Sequence, residues 1–203
     1  MKPTAQEKFD NIVKQCFHDK LKPLNFRKKA NNFYRDLGEV GQMINVQKSM
    51  FRSKENISFT ANIGIFSPVY WGSECNYNGA PEPPDYPTEP VCVIRLRLGT
   101  FMGKDDRWYD LDGSTNISGI KNEINQVMET GVVPFFKRIS NNAALIDYLE
   151  NEYNNYDGNY RRFILYGSLG MKTQLERIYP VLLQEANQYQ IRNIQEKAKK
   201  FGL

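Results

Sequence analysis

Apolar and polar positions follow two different periods along this chain, and the change of period divides it. Ile57, Phe59, Ala61, Ile63 and Ile65 alternate with Ser58, Thr60, Asn62 and Gly64. A period of two sends successive side chains to opposite faces, so Asn56–Phe66 predicts a strand with one apolar and one polar face. Val91–Leu98 repeats the pattern, with Cys92, Ile94, Leu96 and Leu98 inward and Val93, Arg95 and Arg97 outward. Val40–Met50 alternates more weakly, and Trp108–Leu111 reads as a short last strand. Upstream, Phe26–Ala30 and Phe33–Leu37 predict a hairpin around Asn31-Asn32, because asparagine tolerates the positive φ of a tight turn. That register sets Arg27 opposite Asp36 and Ala30 opposite Phe33.

The other period is helical. Thr4 and Glu7 fit a capping box, and Phe9, Ile12, Val13, Cys16, Phe17 and Leu21 then form one stripe, ended by Pro23. Past Gly113, Ile117, Ile120, Ile124, Val127 and Met128 mark a second helix, which Pro134 bends or ends. Ser140 or Asn141 caps a third, with Ala144, Leu145, Tyr148 and Leu149 on its buried side. From Tyr160 the tail reads as helical pieces punctuated by Gly167, Gly170 and Pro180, and Tyr153–Asn159 has linker composition. The expected fold class is α+β. An antiparallel sheet of about five strands carries helices packed on one face, and a C-terminal helical extension follows. The expected domains are 1–152, α+β, and 153–203, a helical subdomain.

One segment fits neither period. Ser67–Pro90 holds six prolines together with Tyr70, Trp71, Tyr77 and Tyr86. Connections this long are uncommon inside a compact domain. Tyrosine and tryptophan are the usual interface anchors, and proline lowers the entropy lost when a loop is fixed. The alternative is that the aromatics fold back over the sheet as an internal lid.

Composition narrows the class. The 203 residues are 40% hydrophobic and 25% charged, ordinary globular values that exclude global disorder. No apolar run approaches the length a bilayer requires, and the first residues are too charged for a signal peptide. Three cysteines with no C-x-x-C favour a reducing compartment, so a cytoplasmic location without membrane association is expected. The net charge of +4 is mild and evenly divided between the two halves, unlike that of a dedicated duplex-DNA binder.

Two stretches resemble a known family. They are Asn31-Asn32-Phe33-Tyr34-Arg35-Asp36-Leu37-Gly38-Glu39 and Thr88-Glu89-Pro90-Val91-Cys92-Val93-Ile94-Arg95-Leu96-Arg97-Leu98-Gly99. With Ile63-Gly64-Ile65-Phe66 and Trp108-Tyr109, they resemble a mainly bacterial group, domain of unknown function 4304 (DUF4304), over roughly residues 5–150. The resemblance implies an α+β domain and no known activity.

Candidate chemistry is sparse, and no catalytic residue, metal ligand or cofactor is expected. His18, the only histidine, lies nearly opposite the apolar stripe, where a general base lacks a pocket. Asp105, Asp106, Asp110 and Asp112 cluster around Trp108 without calcium-loop spacing, and the Gly99/Gly103 and Gly167/Gly170 pairs lack a nucleotide-binding pattern. Arg95 and Arg97 project from the polar face, with Thr60 and Asn62 as expected neighbours. Arginine there can clamp a carboxylate or phosphate, or form ordinary cross-strand pairs. Lys20, Lys22, Arg27, Lys28, Lys29 and Arg35 form a basic run that suits a nucleic-acid backbone, an acidic protein or a solvated edge. The expected function is a non-enzymatic protein-binding module using the polar face and the 67–90 loop, by analogy in a bacterial conflict or regulatory system. The alternatives are a nucleic-acid-associated protein using the basic run, and an enzyme acting on an anionic small molecule.

Overall fold

The computed structural model describes residues 3–50, 55–76, 78–153 and 155–203. In chain order come α1 (Ala5–Ile12), β1 (Arg27–Lys29), β2 (Asn32–Asp36), β3 (Gly41–Lys48), β4 (Ile57–Phe66) and α2 (Pro68–Glu74). Then follow β5 (Ile94–Arg97), β6 (Tyr109–Leu111), α3 (Ile117–Val127), α4 (Val133–Arg138), α5 (Asn142–Glu152), α6 (Tyr156–Ser168), α7 (Lys172–Glu185) and α8 (Gln188–Phe201). Contacts divide them into two compact units, 1–66 with 85–138, and 67–84 with 139–203. The division falls at 138/139, and the insert 67–84 belongs with the helices.

The first unit is an antiparallel sheet in the order β1-β2-β3-β4-β5, with β6 pairing β4 beyond the end of β5. Thr4 caps α1, accepting from the Glu7 N–H while the Glu7 carboxylate accepts from the Thr4 N–H. The helix continues through a π-helical turn, Val13–His18, and stops at a 3-10 turn containing Pro23, after which Asn25 is left-handed. Its whole predicted stripe is buried. Phe9 meets Phe59 edge-on at 5.3 Å, and Phe17 stacks on Phe33 at 6.3 Å. A second π-helical turn, Met128–Val132, lets the chain pass Pro134 without ending the helical run. Phe136 of α4 lies 5.5 Å from Phe26, so α1, α3 and α4 cover one face of the sheet.

Three expectations are corrected. The hairpin turn lies one residue early, at Ala30-Asn31, with Arg27 opposite Tyr34 and Lys28 opposite Phe33. Ala30 takes the positive φ, at 52°, because Asn32 is needed in the strand. Second, β4 is buried on both faces throughout, Thr60 and Asn62 included. Third, 67–90 is not one open loop, since Ser67 caps α2 and Pro68 occupies its first turn, where a missing N–H costs nothing.

The second unit packs α2 with α5–α8. Phe163 sits at its centre, 5.6 Å from Phe201 and 6.1 Å from Tyr179. Gly167 admits the Phe201 ring, since a Cβ there would lie 2.2 Å from it. Glu74 of α2 accepts from the Tyr160 hydroxyl at 2.9 Å and pairs with Lys197 at 3.0 Å. Lys197 also donates to the Ser73 carbonyl. The expected linker is already helical from Tyr156, and Pro180 lies inside α7.

Candidate functional site

On the sheet face away from α1, the register puts Asn32 opposite Asn45, Asn45 opposite Asn62 and Asn62 opposite Arg97. Four strands thus contribute one row of polar side chains. Arginine has donors and no acceptor, which orients every amide in the row. Arg97 Nη1 donates to Asn62 Oδ1, and Asn62 Nδ2 donates to Asn45 Oδ1 at 3.0 Å. Asn45 Nδ2 then donates to Asn32 Oδ1 at 2.7 Å, and Asn32 Nδ2 to the Lys29 carbonyl at 3.4 Å. Gln47 Oε1 braces the row, accepting from Asn62 at 2.9 Å and from Arg97 Nη1 at 3.1 Å. Bonds aligned in one direction polarise one another. Beside Gln47, Thr60 is fully buried and its hydroxyl has no partner among the described residues.

The two arginines differ in their partners. The exposed Arg95 holds the Glu89 carboxylate, a bond that raises its already high pKa further. Half-buried Arg97 is held only by neutral amide oxygens, and among the described residues it has no ion pair and no partner for Nε or Nη2.

The aromatics of 67–90 divide between the two units. Tyr86 lies on the polar face, with its ring 5.6 Å from Tyr34 and its hydroxyl proton shared between the carbonyls of Arg27 and Asn32. Tyr70 and Trp71 are buried in α2 of the second unit, and Tyr77 lies outside the described residues. Gly64 opens space on the same face, since a Cβ there would lie 2.7 Å from Cys92 Sγ and 2.9 Å from Met43. The 85–92 segment therefore behaves as a lid over one end of the face.

The basic run does not converge. Arg27 lies over Tyr34 and Tyr86 on the polar face, whereas Lys28 faces Phe33 on the helix side. Lys20 pairs with Glu129, and Lys22 and Lys29 are exposed. Arg35 is structural. Its guanidinium stacks 4.9 Å from Phe26 and donates to Gln42 Oε1 and to the Leu24 carbonyl. The acidic cluster is likewise dispersed. Asp106 accepts from the Trp108 indole, and Asp112 Oδ1 accepts from Ser114 and Thr115, whose hydroxyls and N–H groups hold its pKa down to about 2. Half-buried His18 pairs with its neighbour Asp19. Among the described residues no three His, Cys, Asp or Glu side chains gather as a metal site requires. No helix of the described residues is long and apolar enough to cross a membrane.

An open groove of about 650 Å³ lies between the starts of α1 and α3. Most polar groups along it are engaged in holding the fold. Lys8 donates to the Asp112 and Gly113 carbonyls, Thr4 and Glu7 cap α1, and Asn116 caps α3.

A family model described as domain of unknown function (DUF4304) matches residues 17–138, more than half of the chain. The chain belongs to the DUF4304 family. No curated protein and no solved structure matches it. The DUF4304 match ends where the first unit ends, and it spans the insert 67–84 that joins the helical unit. The Arg97 row lies wholly inside the match. Sequence reasoning had singled out Arg95, Arg97, Thr60 and Asn62 but missed Asn32, Asn45 and Gln47. The signal for the last three was pairing register, which periodicity alone does not supply.

Proposed function

We propose that this DUF4304 protein is a non-enzymatic module that binds another protein through the polar face of its sheet. The observation that supports this is Arg97, a guanidinium fixed in place by neutral amides and left without a counter-charge among the described residues. Pre-organised polar groups lose little entropy on binding and suit specific recognition. The dispersal of Lys20, Lys22, Arg27, Lys28, Lys29 and Arg35 over different surfaces gives less support to a nucleic-acid role. Three free cysteines fit a reducing, cytoplasmic setting, and a bacterial conflict or regulatory system is the setting we favour. The test is capture by the tagged full chain from its native cells at low and moderate salt. A protein retained at the higher salt is expected. Nucleic acid that leaves with salt, with no retained protein, overturns the reading.

A further inference from the structure

The proposed binding role leaves the recognised chemical group open, and the contrast between the two arginines narrows it. Arg95 and Arg97 are two residues apart on one strand and share a face. The chain fills the Arg95 position itself, with the Glu89 carboxylate on Nε. At Arg97 the inner nitrogen Nη1 is used by Asn62 and Gln47, which turns the edge formed by Nε and Nη2 away from the row. That edge carries two parallel N–H groups at the spacing of two carboxylate oxygens. Neutral amides fix its plane without neutralising it, so the charge remains for an incoming anion. An arginine that needed only packing would be as well served by an ion pair such as that of Arg95.

Resting on the protein-binding reading, we infer that the partner places the carboxylate of an aspartate or glutamate side chain on the Nε/Nη2 edge of Arg97, much as Glu89 meets Nε of Arg95. Asn62 and Gln47 are positioning residues that set the plane of the guanidinium. The site takes one carboxylate, because its neighbour is already filled. A peptide glutamate is favoured over phosphate, since a phosphate site ordinarily gathers several cations and the neighbouring Arg95 is already paired with Glu89.

The experiment uses the ¹⁵N-labelled full chain and follows arginine Nε–H resonances, with Arg97 assigned through Arg97→Lys. The probes are end-blocked Gly-Ser-Glu-Ser-Gly, its Gln counterpart, and inorganic phosphate. A saturable shift of the Arg97 Nε–H with the Glu peptide is expected, at least about tenfold weaker with the Gln peptide, a factor comparable to one charge-assisted hydrogen bond. Arg97→Lys, which keeps the charge but loses the planar fork, is expected to abolish the peptide-induced shifts of the neighbouring backbone amides, and Asn62→Ala to weaken the Arg97 Nε–H shift while the sheet stays folded. Equal response to the Gln peptide, stronger binding of phosphate, or no Arg97 shift overturns the inference. A captured partner indifferent to Arg97→Lys would remove the carboxylate contact and leave the binding module standing. Saturable Glu-peptide binding without any captured partner would do the reverse.

Discussion

Gln42→Leu tests the packing that holds α4 on the sheet. Gln42 is fully buried on the helix-facing side of β3. Its Oε1 accepts from Arg35 Nε and Nη2, and its Nε2 donates to the Phe136 carbonyl at 2.7 Å. Leucine has nearly the same shape and removes these three bonds at once. Hydrogen bonds to a charged group contribute roughly 1.5–3 kcal/mol, and a buried carbonyl left without a donor costs roughly 1–3 kcal/mol. Leucine burial offsets roughly 1–2 kcal/mol, and half-buried Arg35 recovers part of its loss from water. The net expectation is a destabilisation of about 3 kcal/mol, or a fall in Tm of roughly 6–12 °C for a chain of this size. Urea titration should show a lower midpoint with an unchanged slope. The cycle with Arg35→Met should give a double variant less damaged than the sum of the singles, by about 1–2 kcal/mol. A Gln42→Leu cost below about 0.5 kcal/mol, or strict additivity with Arg35→Met, would refute the reasoning.

Gly64→Ala pushes a methyl group into Cys92 and Met43 and should cost about 1–3 kcal/mol, partly recovered by Cys92→Ala, as read by thermal melting. Lys197→Met leaves Glu74 with Tyr160 alone in a mostly buried pair, so about 2 kcal/mol of destabilisation and faster proteolysis within 67–84 are expected. Asp112, held by the Ser114 and Thr115 hydroxyls below its ordinary value of 3.8 to about 2, contributes stability that is present above pH 4. That contribution is lost as pH falls from about 4 to 2, and Asp112→Asn should remove this part of the acid dependence in denaturation measured at several pH values.

Local signals predicted local structure well. The Thr4/Glu7 box, the α1 stripe and the alternation of β4 all lie where their residues require, and Asn141 caps α5. Long-range pairing decided the rest. Asn31-Asn32 has the better local turn chemistry, yet Asn32 stays in β2, where its side chain meets Asn45 and its carbonyl meets Tyr86. Alternation in β4 marked which face was polar but not that the polar face was also buried, because amides satisfied by one another need no water. Ser67-Pro68 was a readable helix start, masked by the prolines that follow. Pro134, expected to bend or end its helix, follows a π-helical turn and sits in α4, and Pro180, expected to punctuate the tail, lies within α7. Of the site, the two arginines and Asn62 were legible from strand phase alone. What distinguishes Arg97 from Arg95 is a carboxylate six residues before Arg95, and only folding brings it there.

The most direct measurement compares capture by the tagged wild-type chain and by Arg97→Ala, with Arg177→Ala as an exposed control, at moderate salt. A protein held by wild type and by Arg177→Ala, and reduced at least about tenfold by Arg97→Ala while its melting temperature is unchanged, is the predicted result. Equal capture by all three chains would contradict the claim that this face does the binding.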